Sequence, residues 1–144
     1  MLARDWTEAD IPTIAELEKS CFSDAWSEQT FFSAFRSPYF TGVLLEENGE
    51  VVAYACASVL FEEAEIGVVA VAREWRGRGV GKRLLSELLS RAKRLGAEKV
   101  FLEVRVSNES ALALYRGAGF EGFGVRKRYY PDGEDAVLMK KEFS

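Results

Sequence analysis

This chain contains no histidine and only two cysteines, and both shortages exclude familiar kinds of active site. A Cys–His dyad and a Ser–His–Asp triad each need an imidazole as the general base, so neither is available here. Cys21 and Cys56 lie far apart and form no CxxC pair, so we expect neither a disulfide framework nor a zinc site, and no other bound metal. Acid–base chemistry must therefore depend on Asp, Glu, Tyr, Lys or Cys.

We also expect neither a membrane-spanning apolar run nor a secretory leader. The opening MLARDW is too short and too polar for a leader, and the longest apolar stretch, 51–61, is shorter than the roughly 20 residues that span a bilayer. The formal net charge of −4 argues against direct nucleic-acid binding. We therefore expect a cytoplasmic protein that binds neither membranes nor nucleic acid. With 144 residues and no linker or repeat, residues 1–144 are expected to form a single domain.

Capping and turn residues divide the chain into short alternating elements. Thr7, with Asp10 three residues later, predicts the start of a first helix, and Ser27 predicts the start of a second. Asn48-Gly49 is typical of a hairpin turn, because both positions need positive φ. The predicted order is β, α, α, β, β, β, α, β, α, β, β, which indicates a mixed sheet flanked by helices, in the α/β or α+β class.

The clearest pattern is a strand, a helix and a strand in the second half of the chain. The continuous apolar segment 65–71, EIGVVAV, predicts a central strand, and 99–106 predicts the next one. Between them, 79–95 predicts a helix with one apolar face, made of Val80, Leu84, Leu85, Leu88, Leu89, Ala92 and Leu95.

The segment 73–83 joins that strand to that helix and is unusually basic. It contains a single acid, Glu74. Its five cations are Arg73, Arg76, Arg78, Lys82 and Arg83, and its three glycines are Gly77, Gly79 and Gly81. Cations at a helix N-terminus cost stability unless an anion binds there, and glycines let backbone N–H groups approach a ligand closely. These features favour a phosphate-binding loop over a solvated basic turn. The spacing fits neither a P-loop, where Arg83 replaces the required Ser or Thr, nor a Rossmann fingerprint.

Arg76-Gly77-Arg78-Gly79-Val80-Gly81 fits the pattern Arg/Gln-x-x-Gly-x-Gly/Ala and resembles the GNAT superfamily of acetyl-CoA-dependent N-acetyltransferases. The segment FLEVRVSNESALALYRGAGF, Ala25-Trp26-Ser27 and the ending RKRYYPDGEDAVLM are similar to the bacterial ribosomal-protein-alanine N-acetyltransferases of the RimI type, over nearly the whole chain. The chain departs from that pattern at Ala25 and Gly67-Val68. The resemblance implies a GNAT fold, a mixed and mostly antiparallel sheet of about seven strands, splayed between strands four and five and flanked by about four helices.

The resemblance also implies how acetyl-CoA, as co-substrate, would be held. The backbone of the fourth strand would pair with the pantetheine arm, the glycine loop would hold the diphosphate, and an asparagine would hydrogen-bond the cofactor. The implied contacts are Val69, Ala70, Val71, Arg76, Gly77, Arg78, Gly79, Val80, Gly81, Lys82 and Asn108.

Glu103 is the candidate general base. Strand alternation places it on the same face as Phe101 and Arg105, opposite the apolar face. A carboxylate in mid-strand is costly to bury unless it is paired or used, so position alone leaves an ion pair with Arg105 or another cation equally open. The resemblance favours catalysis. An α-amino group has a pKa of about 7.7–8.0, so a weak base acting through a water would suffice.

Two tyrosines complete the candidate site. Tyr115 by itself would be read as core packing, whereas the resemblance makes it the general acid toward the coenzyme A thiolate. Tyr130 is expected to contact the substrate. Without histidine, both cysteines are expected to pack, which favours direct transfer in a ternary complex. Six acidic residues form a solvated face that would attract a basic peptide: Glu46, Glu47, Glu50, Glu62, Glu63, Glu65.

The implied activity is transfer of the acetyl group to the N-terminal α-amino group of a protein, specifically the N-terminal alanine of a small-subunit ribosomal protein. Two alternatives stay open. A GNAT enzyme that acetylates a small-molecule amine would differ in its acceptor, and a non-catalytic acyl-CoA-binding module would lose nothing on replacement of Glu103 and Tyr115.

Overall fold

A computed structural model describes residues 1–143, and its elements follow the predicted order. The seven strands are β1 Leu2–Asp5, β2 Phe40–Glu47, β3 Glu50–Leu60, β4 Glu63–Val71, β5 Lys99–Arg105, β6 Glu121–Arg126 and β7 Ala136–Glu142. The four α-helices are α1 Ile11–Cys21, α2 Glu28–Phe35, α3 Val80–Arg94 and α4 Glu109–Gly117. Short 3-10 turns at Glu8–Asp10 and Arg73–Trp75 precede α1 and α3.

The strands form one sheet in the order β1-β2-β3-β4-β5-β7-β6. Neighbouring strands are antiparallel except for β4 and β5, which run parallel. The parallel pair is short, since only 63–65 of β4 pair with 99–101 of β5. Beyond Glu65 the two strands separate toward their carboxyl ends. The predicted GNAT-like sheet and its splay between strands four and five are therefore confirmed.

Helices α3 and α4 cover one face of this sheet. The side chains of Leu84, Leu85 and Leu88 are fully buried against residues of β2 and β3. Removing one such side chain to alanine typically costs about 2–5 kcal/mol. The prediction that Leu95 continues this apolar face is wrong, because its side chain is 57% exposed. The helix ends one residue earlier, and the chain turns away at Gly96 with φ 101°.

Helices α1 and α2 cover the opposite face over an aromatic cluster that includes Trp6, Phe31 and Tyr54. A β-bulge in β4, near the splay, reverses the alternation of side chains between the two faces of the sheet. Cys56 pairs with Val68 and Ala57 pairs with Ile66, so Gly67 has no partner on β3. Because of the extra residue, Ile66 packs on the α3 side and Val68 on the α1 side.

The predicted caps and hairpin turn are confirmed. Ser27 Oγ accepts a hydrogen bond from the backbone N–H of Thr30 at 3.1 Å, and the Asp10 carboxylate accepts one from the N–H of Thr7 at 2.6 Å. Asn48 has φ 53° within the β2–β3 turn.

Within residues 1–143, no helix combines the length and the apolar content that a membrane crossing requires.

Candidate active site

Two cavities meet where β4 and β5 separate. The first, which we call the splay cavity, has a volume of about 650 Å³ and lies among the end of β4, the start of α3 and α4. The second, which we call the loop cavity, has a volume of about 740 Å³ and lies under the α1–α2 and β6–β7 loops. Asp24 lines both cavities. The two cavities are therefore adjacent at the splay, with Asp24 as a shared wall residue.

The glycine loop forms one end of the splay cavity. Gly77 and Gly79 have φ of 76° and 79°, and a Cβ on either would meet no atom within 4 Å. These glycines are therefore needed for backbone conformation and leave open space beside the loop. Gly79 is the N-cap of α3, no side chain caps it, and the first turn holds no acid. The first N–H groups of α3 are thus free to bind an anion.

Most of the predicted cofactor contacts come together around this cavity. Nine of them line it: Val69, Ala70, Val71, Arg76, Gly77, Gly79, Gly81, Lys82 and Asn108. Arg76 is oriented by its Nε, which donates to the backbone carbonyl of Val71 at 2.9 Å. Asn108 Oδ1 accepts from the backbone N–H of Ala111 at 3.2 Å, so it is also the N-cap of α4.

Two predicted contacts lie elsewhere. The guanidinium of Arg78 covers the ring of Trp75, with its central carbon 4.8 Å from the ring centroid. The Val80 side chain is buried in the core, so only its backbone is available to a ligand. Arg83 is also directed away, because its Nη1 donates to the carbonyl of Met1 at 2.8 Å. The positive charge that lines the cavity therefore comes from Arg76, Lys82 and Arg105.

Glu103 is half-buried and lines the loop cavity, which the exposed Glu65 also lines. Burial raises the pKa of Glu103 above its ordinary value, and the charge of Glu65 raises it further. The charge of Arg126 acts in the opposite direction. The alternative of an ion pair with Arg105 is not found within residues 1–143, because that guanidinium binds three other carboxylates. Glu103 is thus a cavity-lining carboxylate whose proton affinity is increased.

Tyr115 lies in α4 and lines the splay cavity, although only 8% of it is exposed. Its ring meets Phe120 edge-on, with the centroids 5.7 Å apart. Burial raises the pKa of Tyr115, so the phenol stays protonated at neutral pH. Tyr130 lines the loop cavity, and burial raises its pKa to about 12. The structure therefore places Glu103 and Tyr115 in the two adjoining compartments.

The two cysteines have different surroundings. Burial raises the pKa of the Cys56 thiol to about 12, so it stays protonated. Cys21 is half-buried and lines the splay cavity, with its Sγ 3.8 Å from the carbonyl oxygen of Val71. Sequence reasoning did not place Cys21 at the site.

Sequence reasoning also missed residues that shape the loop cavity. Glu18 is a fully buried carboxylate that accepts hydrogen bonds from the Tyr54 hydroxyl at 2.7 Å and from the N–H of Trp26 at 3.0 Å. Its position on the apolar face of α1, at helical spacing from Ile11 and Ile14, was a usable signal. Gly67, the bulged residue, lies against the Trp26 indole. Glu18 and Gly67 thus position the Trp26 indole in the wall of the loop cavity.

Comparison with known proteins identifies the family. Residues 11–120 match the model of the Acetyltransferase (GNAT) family. The N-alpha-acetyltransferase RimI of Mycobacterium tuberculosis is 40% identical over an alignment of 143 positions, which covers 94% of this chain and 89% of that protein. An uncharacterized protein of Mycobacterium leprae is 41% identical over 143 residues, but this chain spans only 39% of its length.

A crystal structure of the ribosomal-protein-S18-alanine N-acetyltransferase from Escherichia coli matches with a TM-score of 0.93 and 33% identity. The match covers 99% of this chain and 94% of that one. The resemblance inferred from the glycine loop and the second half of the chain is confirmed by these matches. The chain therefore belongs to the GNAT family of acetyltransferases, whose acetyl donor is acetyl-CoA, and within that family it is of the RimI type.

Proposed function

We propose that this protein transfers the acetyl group of acetyl-CoA to the N-terminal α-amino group of a protein, and that its substrate is the N-terminal alanine of ribosomal protein S18. The named activity of the Escherichia coli relative supports the choice of substrate. The observation that carries the proposal is the meeting of two cavities at the splay, one with a glycine loop and Tyr115, the other with Glu103. Such an arrangement suits a donor and an acceptor that approach each other from opposite sides.

The splay cavity fits acetyl-CoA, which supplies an activated acetyl thioester. The open space beside Gly77 and Gly79, the uncapped start of α3 and the nearby Lys82 suit a diphosphate. Beyond Glu65, β4 has no backbone partner on its β5 side. The edge of Val69 to Val71 is therefore available to pair with the amide groups of an extended arm.

Glu103 is proposed to remove the proton of the acceptor amine. The carboxylate faces the loop cavity, and its raised pKa makes it a better base than an exposed glutamate. At neutral pH an N-terminal ammonium with a pKa of about 7.7–8.0 is only partly deprotonated, so a modest base suffices. Glu103 accepts this proton directly or through a water.

Tyr115 is proposed to donate a proton to the departing thiolate. Its hydroxyl stays protonated at neutral pH because burial raises its pKa. It lies in the cavity proposed for the donor, which is where a leaving thiolate needs a hydrogen-bond donor. Separate groups for the two proton transfers allow the amine to attack the thioester directly, with no acetyl-enzyme at Cys21.

The experiment is intact-mass analysis of peptides incubated with enzyme and acetyl-CoA. A peptide beginning with alanine should gain one acetyl group, whereas the same peptide with a blocked N-terminus and a polyamine should gain none. We expect E103Q and Y115F each to lower kcat by about 10²–10⁴-fold, while C21A retains turnover. Acetylation of the polyamine but not of the peptide would overturn the proposed acceptor, and full activity of E103Q would remove its role as the base.

A further inference from the structure

We propose that Arg105 is a positioning residue that ties together the two loops around the loop cavity, at the separation an acceptor peptide requires. The loops are 22–27, between α1 and α2, and 127–135, between β6 and β7. This inference rests on the proposed function, because it takes the loop cavity as the acceptor site. Arg105 ends β5, two residues beyond Glu103 on the same face of the strand.

Three carboxylates from these loops converge on the one guanidinium. Nη2 of Arg105 donates to Asp24 of the first loop at 2.9 Å. Nη1 donates to Asp132 at 2.8 Å and to Glu134 at 2.9 Å, both in the second loop. The other oxygen of Glu134 accepts from the backbone N–H of Ser107 at 3.0 Å. Hydrogen bonds to these acids raise the pKa of Arg105, so its charge is permanent.

The same guanidinium fixes an aromatic wall of the cavity. Its central carbon lies 4.1 Å from the ring centroid of Tyr130, in cation–π contact. Tyr130 of the second loop and Trp26 of the first loop both line the loop cavity. Arg105 therefore holds one loop by its aromatic ring and carboxylates, and the other loop by Asp24.

Such a tie is needed because of the splay. Backbone pairing between β4 and β5 stops at Glu65 and Phe101, so backbone hydrogen bonds do not set the width of the gap beyond that point. Within residues 1–143, the hydrogen bonds and ion pairs that join loop 22–27 to loop 127–135 all pass through Arg105. Its partners are partly exposed, so each bond is individually weak and the loops are able to part when substrate enters.

Lysine cannot replace arginine here. A planar guanidinium presents five N–H donors in a fixed fork and stacks on an aromatic ring at the same time. An ammonium is a compact charge that would satisfy one or two carboxylates and lose the contact with Tyr130. The tie therefore depends on the shape of the side chain as well as on its charge.

The first measurement is steady-state kinetics with acetyl-CoA and a peptide that begins with alanine. We expect R105Q to raise the KM for the peptide about tenfold and to change kcat by less than about twofold. Because Arg105 also lines the splay cavity, the KM for acetyl-CoA should rise too, but by less than the KM for the peptide. R105K should resemble R105Q. D24N should give a smaller rise and should add little on the R105Q background, because both changes break the same tie.

R4Q is the matched control. Arg4 also binds two carboxylates, Asp10 at 2.8 Å and Glu46 at 3.4 Å, but it lines neither cavity. We expect R4Q to leave the peptide KM unchanged. An unchanged peptide KM in R105Q, or an equal rise in R4Q, would overturn the positioning role.

Amide hydrogen exchange in the free enzyme provides a readout that needs no activity. R105Q should speed exchange in both 22–27 and 127–135, and R4Q in neither. Unchanged exchange in both loops of R105Q would contradict the tie, even if the wild type acetylates the peptide. If the wild type acetylates no peptide, the proposed function fails, and the exchange result still decides whether Arg105 joins the loops.

Discussion

Glu103 shares its cavity with a second carboxylate, and that neighbour has a measurable consequence. Glu65 raises the pKa of Glu103 and Arg126 lowers it. As pH falls below the pKa of the amine, kcat/KM should decline with a slope of one, and the slope should become two where Glu103 gains its proton. E65Q removes a negative charge, lowers the pKa of Glu103 and should move that second bend to lower pH. R126Q should move it to higher pH.

A pH-rate profile of the three proteins tests this prediction. If the bend stays in place in both variants, the charges of Glu65 and Arg126 do not tune the base. If it moves in E65Q alone, only the nearby carboxylate matters.

Gly67 is a position where one methyl group should disturb the acceptor site. A Cβ at this residue would lie 2.9 Å from Cη2 of Trp26 and 3.3 Å from Sγ of Cys56. The indole must therefore move. It is held in place by packing against Phe31, and the backbone N–H of Trp26 donates a hydrogen bond to the Glu18 carboxylate. We expect G67A to raise the KM for the peptide about three- to tenfold while the affinity for acetyl-CoA stays within about twofold.

The control for this change is G117A, followed by the same kinetics. Gly117 ends α4 with an ordinary φ, and a Cβ there meets nothing within 4 Å. G117A should leave both substrates unaffected and leave stability equal or slightly higher. If G67A and G117A behave alike, Trp26 does not shape acceptor binding.

The sequence predicts those site residues that follow from local rules. Gly77 and Gly79 stand out because positive φ and a basic helix start are local properties, and Glu103 stands out by strand alternation. The contact of Arg105 with Asp24 joins positions 81 apart, so no local pattern predicts it. The family resemblance also implied that Arg78 contacts the cofactor, whereas its guanidinium packs over the ring of Trp75.

Helix α1 begins at a junction of three chain segments, and the contribution of this junction to protein stability should depend on pH. The Asp10 carboxylate binds Arg4 of β1 at 2.8 Å and accepts from the N–H of Thr7. These interactions lower the pKa of Asp10 to about 2. A carboxyl group with a lowered folded pKa stabilises the protein above its unfolded pKa, and this contribution is lost as pH falls through the folded value.

We therefore expect D10N to reduce the free energy of unfolding by about 1 kcal/mol at pH 7. The difference from wild type should shrink as pH falls from about 4 toward 2. Denaturant unfolding at several pH values measures it. E16Q is the control, since Glu16 forms only an exposed pair with Lys19 and should change stability little. A D10N difference that is constant with pH would contradict the assigned cause.

The bounds of elements with strong local signals were predicted closely, whereas the pairing of the strands within the sheet was not predicted. The structure begins α3 at Val80 and ends it at Arg94, against a prediction of 79–95, because glycine conformation marks both ends. The order β5-β7-β6 and the three-residue contact of β4 with β5 depend on partners distant in sequence. The family resemblance supplied the splay between strands four and five but not this strand order, and residue patterns alone gave only a mixed sheet with helices.

The whole molecule separates its charges in a way that its net charge hides. Arg76, Lys82 and Arg105 line the splay cavity, Glu65 and Glu103 line the loop cavity, and Asp24 lines both. The net charge of −4, which counts 19 cations and 23 acids over the whole chain, does not reveal this local separation. One compartment therefore favours an anionic ligand and the other favours an amine, and both meet at the gap between β4 and β5.

Ligand binding across the splay should stabilise the entire fold. A ligand in the splay cavity touches β4, α3 and α4, so it binds the native state and not the unfolded chain. At 100 times its Kd, acetyl-CoA should add about 2.7 kcal/mol to the free energy of unfolding and raise Tm by about 5–10 °C. Dephospho-CoA keeps the diphosphate and should retain most of this shift. Pantetheine has no diphosphate and should lose most of it.

Two alanine variants test whether the rise in Tm caused by acetyl-CoA depends on the glycine loop. Gly79 and Gly49 have nearly equal φ, 79° and 80°, and a Cβ on either meets nothing within 4 Å. G79A and G49A should therefore lose similar stability, about 1 kcal/mol, without ligand. Only G79A should weaken acetyl-CoA binding, because only that strain displaces N–H groups at the start of α3. Equal ligand-induced shifts in both variants, or an undiminished shift with pantetheine, would mean that the loop does not hold the diphosphate.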